Sequence, residues 1–314
     1  MSRVPWRSLR TAVAVGILGA VLWRTGSGPL VAGLGSVDPA LLVLAVALTV
    51  PATVACAWRW RLVAGGLGVG VALGPAVASC YRAQFLNTTL PGGVLGDVHR
   101  GVRHGRDAGD TGRGLRAVAW ERLSGQVVLG AIALLVLVLL PSPVRPAMPL
   151  VLTGLVAAGV AGCVAGGVVV LLVRRVRPAA TAQRFLHTVR DELEGAHVVR
   201  RAWPGVVVAS MVAAGVHLST YLVAARAVGV AGSPATLLPV AVLVLLAAGL
   251  PVNVAGWGPR EGMAAWVFGA SGLGADQGVA TAVAYGAMVL VANLPGAVVL
   301  LVAWSRRRRE VAPA

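Results

Sequence analysis

The sequence predicts an all-α, polytopic integral membrane protein, from its composition, the length of its apolar runs and the placement of its charges. Of the 314 residues, 57% are hydrophobic and 12% charged, about half the charge fraction of a soluble domain. The apolar residues are mainly Ala, Val, Leu and Gly, which suits helices that pack closely in lipid through small side chains. A water-soluble α/β enzyme could hold several such runs, but not along nearly the whole chain.

A spanning helix needs about 20 mostly apolar residues. Residues 8–23, 39–57, 117–140, 149–173, 206–228, 237–252 and 279–304 meet that pattern. The apolar run of the first, Thr11 to Trp23, follows a basic stretch (Arg3, Arg7, Arg10) and has no small-residue cleavage pattern behind it, so it reads as an uncleaved span rather than a signal peptide. Residues 74–95 and 257–273 are apolar but interrupted.

The net charge of +16 comes entirely from arginine, since the chain has no lysine. A nucleic-acid partner is not the reading, because these arginines cluster at the ends of apolar runs, where the positive-inside rule puts them and where they meet anionic headgroups. The N-terminus, residues 100–116 and 174–201, and the tail Arg306-Arg307-Arg308-Arg309 are basic; 25–38, 141–146 and 229–233 are short and nearly uncharged. All four basic segments are cytoplasmic together if 63–95 enters and leaves on one side. Both termini inside require an even number of crossings. Seven clear spans are odd, so about eight crossings are expected, with 257–273 crossing or 279–304 broken at Asn293-Leu294-Pro295-Gly296. The expected organisation is one transmembrane domain over 1–305 in the cell membrane, with candidate inverted-repeat halves 1–146 and 147–305, and a basic cytoplasmic tail over 306–314.

The two interrupted stretches are the informative ones. The first runs Asn87-Thr88-Thr89-Leu90-Pro91-Gly92-Gly93-Val94-Leu95-Gly96-Asp97-Val98-His99-Arg100. Pro91 removes a backbone donor and the glycines weaken a helix; broken backbone at membrane depth is tolerated only within protein or a wet cavity. Asp97 and Arg100, three apart, share a face if the next stretch is helical. The second runs Leu250-Pro251-Val252-Asn253-Val254-Ala255-Gly256-Trp257-Gly258-Pro259-Arg260-Glu261-Gly262. Pro259 suits the first turn of a new helix, and Glu261 would sit at its positive end. Each stretch combines Leu-Pro, Asn, glycines, an arginine and an acid, one stretch in each half. Such pairing points to a transporter site between repeats; two ordinary interfacial loops are the plainer alternative.

The pattern F-L-N-x-x-L-P-G-G-x-x-G-D-x-x-R from Phe85 to Arg100 resembles the first signature of the lysylphosphatidylglycerol synthase transmembrane-region family. Gly256-Trp257-Gly258-Pro259-Arg260-Glu261-Gly262 resembles its second, and Trp120-Glu121-Arg122 a third, weaker place. The resemblance covers nearly the whole chain. It implies a flippase-like membrane domain handling lipids with charged or sugar-bearing headgroups. Only ten residues, 305–314, follow Trp304, so the family's soluble aminoacyl-transfer domain is not expected, and a separate soluble transferase is a candidate partner.

Arginine binds phosphate through a planar fork of donors and stays charged when partly desolvated, so Arg100 and Arg260 are candidates for headgroup contact. Arg100 could instead belong to a cytoplasmic loop. Backbone N–H groups at Gly92, Gly93, Gly256 and Gly258 could face the same oxygens. Asp97, Glu121 and Glu261 could hold the arginines or meet a cationic aminoacyl headgroup; Asn87 and Asn253 could hydrogen-bond a polar one. Pro91 and Arg122 complete the candidate binding set. His217 and Tyr221 share a helical face, read as core packing before proton relay. Cys56, Cys80, Cys163, His99 and His104 offer no metal spacing, and Asp107-x-x-Asp110 reads as loop solvation before a metal site. No cofactor, nucleophile–base pair or nucleotide-binding loop is visible. The expected function is lipid translocation without catalysis; a lipid-modifying transferase, or an accessory subunit of a glycosyl- or aminoacyltransferase, is the alternative.

Overall fold

The computed structural model describes residues 6–90, 93–140, 178–250 and 253–311. The expected span 149–173, the uncharged loop 141–146, the boundary between the candidate halves, and Pro91 and Gly92 all lie outside the described residues. Among those described there are helices and a single bridge pairing Val254 with Trp257.

Helix α1 (Trp6–Thr25) bends by 96° into α2 (Gly28–Gly35). Gly26 makes the bend with φ of 70°, a value glycine adopts without steric cost. The stretch 25–38, expected as a bare loop, therefore carries a short helix. Helix α3 (Pro39–Gly66) starts at Asp38, whose carboxylate accepts from Leu41 N at 2.8 Å, an N-cap that satisfies one otherwise orphan donor. Helices α4 (Leu73–Thr89), α5 (Leu95–Asp107) and α6 (Thr111–Leu139) follow. The basic stretch 100–116, expected as a loop, is thus helix on both sides of a three-residue turn, 108–110. Asp110 closes that turn by capping α6, accepting from Arg113 N at 2.9 Å. Small residues let α5 lie on α6: a side chain at Gly114 would run into Gly101 O and Gly105 Cα, both 2.5 Å away.

Helix α7 (Pro178–Ala227) is continuous through Pro204, so the basic stretch 174–201 is helical from Pro178 onward. Then come α8 (Pro234–Ala248), α9 (Pro259–Ala270), α10 (Ala275–Ala292) and α11 (Pro295–Val311). The break expected at Asn293-Leu294-Pro295-Gly296 exists only as a two-residue turn, and 275–305 still forms one stretch of spanning length.

Among the described residues, four helices can cross a membrane by length and composition: α3, α6, residues 202–227 of α7, and 275–305; the bent α1–α2 pair would make a fifth. The expected span 237–252 is shorter, because α8 ends at Ala248 after 15 residues. Its position explains its composition. Leu237, Val240, Ala241, Val242, Leu243 and Val244 are all buried, and a helix that is apolar all round belongs inside a bundle. Helices α6, α7 and α9 pack against it, and Tyr221, Phe268 and Met288 share one core with it. The two interrupted stretches become α4–break–α5 and α8–break–α9, each a helix that stops and a second that starts after the break.

Candidate functional site

Both restarts place an acid in the first turn of the new helix, Asp97 in α5 and Glu261 in α9, where the helix dipole favours a carboxylate. Around each acid a charged centre is built from several helices.

The first centre gathers Arg59 of α3, Asp97 and Arg100 of α5, and Glu121 and Arg122 of α6. Glu121 is the hub. Its Oε1 accepts from Arg59 Nε at 3.0 Å and from Arg59 Nη2, and its Oε2 accepts from Arg100 Nη2 at 2.8 Å. Asp97 Oδ1 accepts from Arg100 Nη2 at 3.1 Å and Arg122 Nη2 at 2.8 Å, while its Oδ2 accepts from Asn87 Nδ2 at 2.8 Å. Arg59 also donates to Ser210 of α7 at 3.0 Å. Arg59, Arg100 and Glu121 are buried, Arg100 3% and Glu121 1% exposed. Buried ions of this kind persist only when paired and hydrogen-bonded. The exception to burial is Arg122, whose side chain is 46% exposed.

The second centre is tighter. Arg260 donates from Nε to Glu261 Oε1 at 2.8 Å, and Glu261 Oε2 accepts from Gly258 N at 2.7 Å. The guanidinium lies between aromatic faces, 5.2 Å from the Trp257 ring centre and 5.5 Å from that of Tyr285, a cation–π arrangement. Glycines make room for both deep guanidinium groups: a side chain at Gly125 would meet Arg59 Nη1 at 2.6 Å, and one at Gly286 would meet Arg260 Cζ at 3.0 Å.

The two centres are joined. The breaks touch directly, since a side-chain carbon on Gly93 would fall 2.6 Å from Asn253 Cγ. His217 of α7 approaches the second centre, its Nδ1 3.0 Å from Tyr285 Oη. An apolar crevice of about 280 Å³ opens between α1, α2 and α10, lined by Leu18, Leu22, Leu30 and Val283 and reaching Trp257 and Glu261.

Most of the residues singled out from sequence converge here, with changed duties. Arg100, which could have been a cytoplasmic-loop residue, is buried between Asp97 and Glu121. Asn87 is not free for a ligand: Gly96 N donates to its Oδ1 at 2.8 Å and its amide is spent on Asp97. Asn253 likewise braces its own break, accepting from Gly256 N at 3.0 Å and donating to Leu250 O at 3.2 Å. The N–H groups of Gly256 and Gly258, expected to face ligand oxygens, are therefore taken by Asn253 and Glu261. Tyr221 packs in the core as expected, its ring 5.5 Å from that of Tyr285. Asp110 serves as a helix cap, and among the described residues no group of three metal-ligating side chains comes together.

Sequence reasoning missed Arg59, Trp60, Ser210 and Tyr285. Arg59 had one legible signal: it stands in Trp58-Arg59-Trp60-Arg61, at helical depth beyond the apolar run that was counted as the span. Trp60 stacks on Arg100, 4.6 Å from guanidinium carbon to ring centre.

Neither curated proteins nor solved structures returned a match to the chain. The model of the lysylphosphatidylglycerol synthase TM region matches residues 8–297, which includes both breaks and both charged centres. The chain belongs to the lysylphosphatidylglycerol synthase transmembrane-region family.

Proposed function

We propose that this protein translocates a lipid with a phosphate-bearing headgroup across the cell membrane, passing the headgroup along the joined centres while the acyl chains stay in apolar surroundings. One observation carries the reading. The first centre holds more donors than its acceptors can use: Arg100 Nε and Trp60 Nε1 are buried without a hydrogen-bond partner, and Arg122, which shares Asp97 with Arg100, reaches the surface. Buried orphan donors are costly, and a phosphate brings several acceptor oxygens. The apolar crevice reaching Trp257 and Glu261 supports the same reading by offering an acyl chain a place beside the second centre.

The parallel construction of the breaks favours an inverted repeat. In each half an asparagine carboxamide accepts from a glycine N–H, Gly96 in the first turn of α5 and Gly256 in the second break, and the restarted helix opens on an acid held by arginine. Alternating access by rocking of such halves is how repeat transporters expose a central site to each face. We place both termini in the cytoplasm with eight crossings, on the charge asymmetry of the segments. A reporter fused after Arg309 should report a cytoplasmic location; an external one would overturn this topology.

Translocation is tested with purified protein in vesicles carrying fluorescent phospholipid. Arg260→Ala and Glu261→Gln should each reduce flipping at least roughly tenfold, the loss of one charge-assisted hydrogen bond, while still inserting in the membrane. Unchanged flipping in both would sink the assignment. Consumption of a lipid donor with Mg²⁺, abolished by Asp107→Ala, would replace it with a transferase reading. A separate soluble transferase acting on the same lipid is the partner this function would serve.

A further inference from the structure

We infer that the first centre selects lipids whose headgroup is a net anion, an unmodified phosphodiester, and rejects headgroups to which an amine has been added. This rests on the phosphate-lipid reading above and narrows it. Three arginines, Arg59, Arg100 and Arg122, share two carboxylates, Asp97 and Glu121, so among the described residues the hydrogen-bonded cluster carries one positive charge in excess. That excess surfaces at Arg122, the half-exposed member.

The carboxylates decide the sign of the ligand. An ammonium group leaving water needs an acceptor with unspent capacity, ideally an ionised one. Asp97 already receives Asn87, Arg100 and Arg122. Glu121 receives Arg59 and Arg100, with Arg122 Nε 3.8 Å away. Glu261 receives Arg260 and the Gly258 N–H. Each carboxylate in the two centres is thus committed to arginine, whereas Arg100 Nε and Trp60 Nε1 remain open donors. A phosphodiester fills those donors and cancels the excess charge. An aminoacylated headgroup brings its ammonium to a site already one charge too positive.

Binding is read in detergent, independently of transport. The probes are phosphatidylglycerol, lysylphosphatidylglycerol and the water-soluble glycerophosphoglycerol, competing against a fluorescent phosphatidylglycerol. Phosphatidylglycerol should bind at least roughly tenfold more tightly than its lysyl ester, the scale of one charge-assisted hydrogen bond. Arg122→Gln should weaken phosphatidylglycerol binding by a similar factor. Arg122→Glu, which leaves the cluster with a negative excess, should invert the order of the two lipids. Both substitutions fall on the half-exposed member of the cluster, and a retained cooperative melting transition in detergent shows that each variant is folded. Equal affinities for the two lipids, an unchanged order in Arg122→Glu, or displacement by glycerophosphoglycerol as effective as by the lipid would each overturn the inference. Selective binding in detergent without flipping in vesicles would remove only the transport reading.

Discussion

Replacing Glu121 by alanine should be the most destabilising single change in the described interior, costing about 3–5 kcal/mol, the range for stripping one partner from a buried ion pair. The substitution leaves Arg59 with Ser210 and a 3.8 Å contact to the Cys56 sulfur, and Arg100 with Asp97 and the Cys80 sulfur. Neither sulfur is an ion. Two guanidinium groups would then be desolvated with one carboxylate between them, and Arg122 would add a third positive charge nearby. Thermal unfolding of the purified protein in detergent should show an early transition for Glu121→Ala, with loss of the folded fraction at growth temperature. The diagnostic comparison is Glu121→Gln combined with Arg59→Gln. That pair removes one charge of each sign and should cost less than the sum of the two single changes, because each single change strands a buried charge. Additive costs would mean that Arg59 and Glu121 do not depend on each other.

The membrane class, the two breaks and most of the charged residues were legible because each rests on a strong local signal. Apolar length, Gly-Pro interruption and intramembrane charge are properties of short windows. What stayed hidden is long-range. Arg59 looks like one more arginine at the end of an apolar run until α3 is seen to continue to Gly66, carrying it into the bundle beside Glu121. Helix α8 looks like a spanning segment because its composition is that of one. It is apolar because protein surrounds it, and sequence composition cannot tell a lipid neighbour from a leucine neighbour. Arg100 and Arg113 sit in what reads as one basic loop, yet Arg100 is buried and Arg113 pairs with Asp110 at the surface. The difference lies in the close glycine contacts of α5 with α6, a packing effect with no local periodicity. The asparagines, expected to meet a polar headgroup, hydrogen-bond the backbone around the breaks. A carboxamide beside a glycine-rich break can serve the backbone or a ligand, and the backbone N–H groups were nearer.

Gly93→Ala should force the two breaks apart, because two separate penalties meet at that residue. Gly93 has φ of 59°, a left-handed conformation that costs a residue with a side chain roughly 1–2 kcal/mol. The added methyl would also overlap the Asn253 carboxamide, whose Cγ would be 2.6 Å away. Asn253 cannot simply turn aside, since its Oδ1 holds Gly256 N and its Nδ2 holds Leu250 O. The first break can accept the methyl only by moving off the second. The two penalties separate in a cycle. Asn253→Gly removes the overlap but sacrifices its own brace, and Gly93→Ala in that background retains only the dihedral cost. The double variant should therefore lose less stability than the two single variants combined, and its flipping rate should exceed that of Gly93→Ala alone. Independent breaks would give strictly additive losses, with no recovery of transport in the double variant. Recovery would mean that the overlap of the two breaks at Gly93 and Asn253, beyond the dihedral cost, is what limits transport.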